Sequence, residues 1–183
     1  IGDFVRTYIE RELGISGLRV SAMELSMFLR VVSSVHGQLT NYSELSKVLQ
    51  LSTPTVTNYL NFFEHAYILR TLHPYHVNVQ KRLVKSPKVY VRDSGILHYL
   101  RGIQAMMGLE GDILKGASWE GFAMQQILSM LKPSILSYFY RTASGTELDL
   151  LLIKGNRPFV GFEFKYSNSP KLGKSSTEAM KDL

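Results

Sequence analysis

One stretch constrains this chain more than any other: Leu148-Asp149-Leu150-Leu151-Leu152-Ile153, an apolar run of strand length with a carboxylate inside it. It is far too short to cross a bilayer, which takes ~20 apolar residues. It reads instead as a buried strand. Strand alternation puts Asp149 on the face of Leu151 and Ile153. A charge there is costly unless something pairs with it, so the fold has to bring Asp149 a partner.

The neighbouring sequence supplies candidates. A long helix is expected from about Ser118 to Leu131, stopped by Pro133. Strands are expected at Ile135–Thr142, Glu147–Ile153 and Phe159–Tyr166, with turns at Ser144-Gly145 and Gly155-Asn156. A helix followed by a three-stranded meander opens an α/β core. In Glu163-Phe164-Lys165 the acid and the lysine are two apart and share a face, while Phe162 and Phe164 turn to the core.

A hairpin sets Asp149 beside Glu163, and two carboxylates together suit a hard cation such as Mg²⁺. Such an ion activates water and steadies a phosphodiester under attack. Lys165 would orient the nucleophile or stabilise transition-state charge. Glu120, on the preceding helix, would add a ligand or hold a metal-bound water. The opposing reading makes Asp149 and Glu163 solvated strand ends, with Lys165 paired to Glu163 on a wet surface. The spacing on consecutive strands, after a helix bearing an inward acid, favours the site; cleavage is a separate question.

The first half reads differently. Residues 3–13 form an amphipathic helix with Phe4, Tyr8 and Ile9 on one side, ended by Gly14 and Gly17. A second helix runs from about Ala22 to His36, with Leu25, Phe28, Leu29, Val32 and Val35 at helical spacing and Gly37 after it. Asn41 caps a short third helix, with Glu44 three residues on. Thr53 as N-cap and Pro54 at the first helical position start a fourth, which buries Val56, Tyr59, Leu60 and Phe63.

The last two helices make a helix-turn-helix. Ile68–Tyr75 and Lys88–Arg92 read as two strands around a basic loop, which completes the order of a winged helix. Thr55, Thr57, Asn58 and Asn61 on the polar side of the fourth helix would contact bases or phosphates. In the loop 80–88, Lys81, Arg82, Lys85 and Lys88 would neutralise phosphates. The opposing readings are a helix-turn-helix used for protein contacts and a loop that is merely solvated.

Composition fits these readings. The chain has 183 residues and a net charge of +6. That length allows one domain or two small ones, and a basic balance favours a polyanionic partner. With no cysteine, disulfides, thiol catalysis and cysteine-bound zinc are excluded. Neither a signal peptide nor a membrane span is visible, so the cytoplasm is the expected location. The chain starts at Ile1 and reads as a piece of something longer. Gly173-Lys174-Ser175 mimics the end of a P-loop, but Asn168 stands where that motif needs its first glycine. The five histidines show no zinc-protease pattern, and Trp119 reads as a core anchor.

Three blocks carry a resemblance. Asn78 to Leu100, Trp119-Glu120-Gly121-Phe122, and Tyr140-Arg141-Thr142 through Glu147-Leu148-Asp149-Leu150 together resemble the C-terminal domain of unknown function of bacterial and archaeal AAA+-type ATPases. In that family a P-loop ATPase precedes this region, so the resemblance implies that ATP acts only through an N-terminal module absent here. The second half is also similar to the PD-(D/E)XK nuclease superfamily, whose motif maps onto Asp149, then Glu163-Phe164-Lys165, with Glu120 as the helix acid. That similarity implies a nuclease-like fold and a Mg²⁺ site. It does not imply cleavage, since many members bind without cutting.

The expected fold is α+β: residues 1–20 as a linker helix from the missing ATPase module, 21–94 as a winged-helix domain, and 95–183 as a restriction-endonuclease-like α/β domain. That last domain ends before the superfamily's later helix and strand are complete. The expected function is a DNA-binding, nuclease-like region of an ATP-driven protein, with Asp149 and Glu163 as metal ligands and Lys165 and Glu120 as catalytic groups. Expected partners are DNA, the ATPase module of the same protein and further copies of the chain, with no membrane. The alternatives are a non-catalytic DNA- or protein-binding regulator with a relic nuclease fold, and a protein-interaction module that controls oligomerisation of the ATPase.

Overall fold

Local start signals decide where the first helices begin. In the computed structural model, which describes residues 1–16, 18–76, 85–171 and 173–183, α1 (Gly2–Ser16) is followed by α2 (Ala22–Ser34), α3 (Tyr42–Leu49) and α4 (Thr53–His65). The Ser21 hydroxyl accepts from the Glu24 amide and Asn41 accepts from the Ser43 amide, each satisfying an orphan N–H at a helix start. The cap of α4 is Ser52, one residue earlier than expected; its hydroxyl accepts from the Thr55 amide. Gln50 closes α3 at φ 54°, a left-handed residue that turns the chain tightly into α4.

Leu25, Phe28, Leu29, Val32, Val56, Leu60 and Phe63 bury together as the first core. On α1 the inward residues are Val5 and Ile9, whereas Phe4 is 56% exposed and stacks on Tyr8.

A two-stranded ribbon follows, β1 (Leu69–Leu72) antiparallel to β2 (Lys88–Val91), with Leu69 opposite Val91. Both strands are shorter than the sequence suggests. The Gly37 amide donates to Val89 O at 2.9 Å and the Thr40 amide to Pro87 O at 2.7 Å, so β2 is bonded on both edges. Alternation then splits β2 between two interiors: Val89 and Val91 join the first core, and Tyr90 joins a second one.

Asp93 starts the next helix. Its carboxylate caps α5 (Ser94–Leu100), accepting from the Ile96 amide, and Ile96, Leu97 and Leu100 bury in the first core. Segment 94–100 therefore packs with the first half. A short helix, α6 (Met106–Glu110), precedes α7 (Lys115–Ser129), which starts three residues earlier than expected.

The second sheet is the expected meander: β3 (Ile135–Arg141), β4 (Glu147–Lys154) and β5 (Arg157–Phe162), antiparallel in that order. The chain closes with α8 (Lys174–Asp182). On one face Leu150 and Leu152 meet Met124 of α7 and Tyr90 of β2. On the other, Leu148, Leu151 and Ile153 meet Ala179 of α8.

Simple alternation fails in the middle of β4. Tyr138 pairs with Leu151 but Tyr140 pairs with Leu148, so Asp149 and Leu150 together oppose Phe139. This bulge puts one extra residue in β4. It explains why Leu148, Leu151 and Ile153 share an interior, and why Asp149 parts from Leu151 and Ile153 to face α7 and β2. Eight helices and two small antiparallel sheets thus make a mixed α+β architecture among the described residues. No helix among those residues is long and apolar enough to cross a membrane.

Candidate functional site

The partner that Asp149 requires is Lys88. The strand that brings Val89 and Val91 into the first core turns Lys88 and Tyr90 the other way, toward α7 and β4. The Lys88 side chain is 5% exposed, and its Nζ lies 2.9 Å from Glu147, 3.3 Å from Glu120 and 3.8 Å from Asp149. Glu120 comes from α7, Glu147 and Asp149 from β4. The Tyr90 hydroxyl also donates to Glu120, at 2.5 Å. Arg141 pairs with Glu147 at 3.2 Å, and the Phe164 amide donates to Asp149 at 2.8 Å.

Electrostatics follow from this crowding. Burial pushes the Glu120 carboxyl above its usual range; Lys88 opposes that and Asp149 adds to it. Burial likewise raises Asp149, against the Phe164 amide and Lys88. For Lys88, burial alone would lower the ammonium, but the surrounding carboxylates outweigh it and hold it above its ordinary value. The cluster therefore has an ammonium at its centre and carboxylates at its edge.

Glu163 takes different partners. It pairs with Lys165 and accepts from the Gly173 amide at 2.9 Å, at the N-cap of α8. Burial would raise its pKa, but the hydrogen bonds from Lys165, Ser176 and Gly173 hold it below the usual carboxylate value. Glu163 lies just past the end of β5, although Phe162 and Phe164 keep a common side, their rings stacked 6.1 Å apart.

Oxygen donors of this kind suit Mg²⁺ by chemistry. As arranged, Glu120, Glu147 and Asp149 close on the Lys88 ammonium, and Glu163 stands apart, serving α8. Among the described residues no group of three or more His, Asp and Glu side chains is placed to hold a metal ion.

The candidate nucleic-acid contacts divide. Asn58 and Asn61 are exposed on α4, and Thr55 and Thr57 are half-buried. Thr55 shares a hydrogen bond with the Ser52 hydroxyl, and Thr57 donates back to Thr53 O. Lys85 is exposed, but Lys88 is buried and cannot face phosphate. Lys81 and Arg82 lie outside the described residues. A groove of about 360 Å³ runs beside α4, lined by Asn58, Asn61 and Phe62 and by Glu12, Ile15 and Leu18.

Trp119 is not a core anchor. It is 40% exposed, in ring contact with Phe122 and Tyr166. The residues that sequence reasoning missed are Lys88 as a cluster member, Tyr90 and Glu147. The available signal was Lys88-Val89-Tyr90-Val91: two β-branched residues fix one inward face, which sends the lysine and tyrosine to the other.

A histidine pair anchors α7 beside this cluster. His36 Nδ1 accepts the Val91 amide at 3.0 Å, and Nε2 lies 3.1 Å from Ala117 O. His98 Nε2 meets the Ser118 hydroxyl at 2.8 Å. Gly121 gives His36 its room, since a Cβ there would stand 2.7 Å from Nε2.

Residues 1–106 match the family described as Domain of unknown function (DUF8612), and residues 115–183 match Domain of unknown function (DUF4143). The chain is also similar to an uncharacterized protein of Mycobacterium bovis and to one of Mycobacterium tuberculosis. Each is 37% identical over 180 residues, 98% of this chain and 40% of the relative. The chain thus spans about 40% of the length of these curated relatives. No solved structure matches it.

Proposed function

The chain belongs to the DUF8612 family, and from that membership we propose that it is a DNA-engaging accessory region of a longer ATP-driven protein. DUF4143, matched by the second half, is found in AAA-ATPase-associated proteins, and the relatives are much longer than this chain. In this reading residues 21–94 work as a winged helix and the second half as a nuclease-like fold that holds position without cutting DNA.

The observation that carries the DNA-binding part is the placement of Asn58 and Asn61. They stand exposed on the second helix of a tightly turned pair, in a chain of net charge +6. An exposed amide on such a helix suits base edges in a major groove. The ammonium of Lys88 among the carboxylates favours a second half that does not cleave.

Titrating fluorescent duplex DNA at several salt concentrations tests the proposal. Affinity should fall steeply with salt, because phosphate contacts release counterions. Affinity below detection at 50 mM salt would sink it.

A second reading has its own support. The groove beside α4 is largely apolar, and Ile15 on its rim is 75% exposed. That chemistry suits a protein partner, with the ATPase module of the same protein as the candidate. In this reading the Asn58→Ala, Asn61→Ala double variant leaves DNA affinity unchanged.

A further inference from the structure

We infer that Lys88 is the resident cation of the carboxylate cluster: its ammonium takes the place of a divalent ion among Glu120, Glu147 and Asp149 and ties the ribbon of the first half to the second. The inference stands whether or not the region engages DNA.

Three features carry it. The first is placement. A lysine side chain 5% exposed lies within 4 Å of carboxylates from two different elements, α7 and β4. An ammonium has three protons to donate. Glu147 and Glu120 accept at 2.9 and 3.3 Å, and Asp149 adds its charge at 3.8 Å.

The second feature is how firmly the lysine is held. Its backbone is bridged to Leu39 on one edge and paired with Leu72 on the other. Its Nζ also lies 5.5 Å from the centre of the buried Phe139 ring. The side chain enters from a strand bonded on both sides, so its point of attachment is fixed beside the carboxylates.

The third is competition. Mg²⁺ demands oxygens at roughly 2.0–2.1 Å in near-octahedral order. Such an ion could enter only by expelling the ammonium, which would then be buried beside a second positive charge without its partners. While Lys88 stays, the cluster refuses divalent ions. Without it, three carboxylates surround a gap with too little positive charge, although Arg141 stays 3.2 Å from Glu147.

Mn²⁺ is a suitable probe, since it takes the same oxygen ligands and its paramagnetism reports binding directly. The chain would be titrated with Mn²⁺ by electron paramagnetic resonance, and melted with and without the ion. Wild type is expected to leave Mn²⁺ free at 0.1 mM. Lys88→Ala is expected to melt lower, to bind about one Mn²⁺, and to recover part of its loss as Mn²⁺ is raised. Adding Asp149→Asn to Lys88→Ala should abolish that recovery.

Stoichiometric Mn²⁺ binding by wild type that disappears in Asp149→Asn would overturn the inference. A folded Lys88→Ala that gains no response to Mn²⁺ would overturn it equally. Lys88→Gln, which keeps most of the stem without the charge, serves if the alanine variant does not fold, and the wild-type titration depends on neither. Because the readout is the ion, failure here is distinct from failure to bind DNA.

Discussion

His36 and Ala117 are joined across the interface of the two halves, with the imidazole Nε2 3.1 Å from the carbonyl oxygen. Because Nδ1 already accepts the Val91 amide, the proton of the neutral ring must sit on Nε2 and be donated to Ala117. A second proton would destroy the Val91 bond inside the protein. Burial accordingly lowers the His36 pKa to about 4, from 6.5.

This fixes the sign of a pH effect. A group whose folded pKa lies below its unfolded one binds fewer protons when folded. The stability tied to neutral His36 is therefore complete above pH 6.5 and lost as the pH falls toward 4, to the extent of roughly 3 kcal/mol. Glu120 and Asp149, both raised, act in the opposite sense. The informative quantity is thus the difference between wild type and His36→Gln in urea unfolding at pH 7, 5.5 and 4.5. The difference should shrink as the pH drops; a constant difference would contradict the assignment.

The start of α4 gives a local test. Ser52 is the side chain that accepts from the Thr55 amide, while the Thr53 hydroxyl reaches Ser46 at 3.4 Å. Ser52→Ala should lower stability by about 1 kcal/mol. Thr53→Ala, on an exposed first-turn residue, should stay within about 0.5 kcal/mol of wild type. Denaturant midpoints decide between them, and the reverse order would restore Thr53 as the cap.

Much of this architecture is legible in the sequence. Helical spacing of Leu25, Phe28, Leu29 and Val32 marks the core of the first half, and the turns at Gly145 and Gly155 mark the meander, where both glycines adopt positive φ. What could not be read is the bulge in β4. Strict alternation assigns Asp149 to Leu151 and Ile153, and one extra residue opposite Phe139 moves it to the face of α7 and β2. Lys88 was hidden for a related reason. A lysine in a basic stretch looks solvated, and only pairing on both edges of β2 shows that its alternate face is an interior. Glu163 and Lys165 are neighbours as the motif suggests, but the Gly173 amide at the start of α8 is ten residues on, beyond any strand pattern.

Glu163 should therefore behave first as an anchor of α8. Its carboxylate holds the Gly173 amide and Lys165 and is 13% exposed. Glu163→Gln weakens charge-assisted hydrogen bonds, at a cost of roughly 1–2 kcal/mol. Its lowered pKa means this contribution is present above the ordinary glutamate range and is lost as the pH falls through it. Amide exchange in 174–182 should accelerate in the variant at pH 7 while exchange in α2 stays unchanged. Equal acceleration in both would show that Glu163 supports the whole fold rather than this helix.

Lys85 and Asn61 offer the sharpest test of how DNA is engaged, because they should fail differently. Lys85 is an exposed cation close before β2, and Asn61 is an exposed amide on α4. A phosphate contact sets the salt dependence, with the slope of log affinity against log salt changing by about 0.9 per contact on duplex DNA. A base contact carries sequence preference and leaves that slope alone. Lys85→Ala should therefore weaken binding to every duplex alike and flatten the salt slope by close to one unit. Asn61→Ala should keep the slope and cost ~1–3 kcal/mol on a preferred sequence. Anisotropy titrations of both variants on two unrelated duplexes, at 50 and 200 mM salt, separate the roles. A wild-type slope in Lys85→Ala would remove that residue from the interface, and equal losses on both duplexes for Asn61→Ala would mean that α4 lies along the backbone without reading bases.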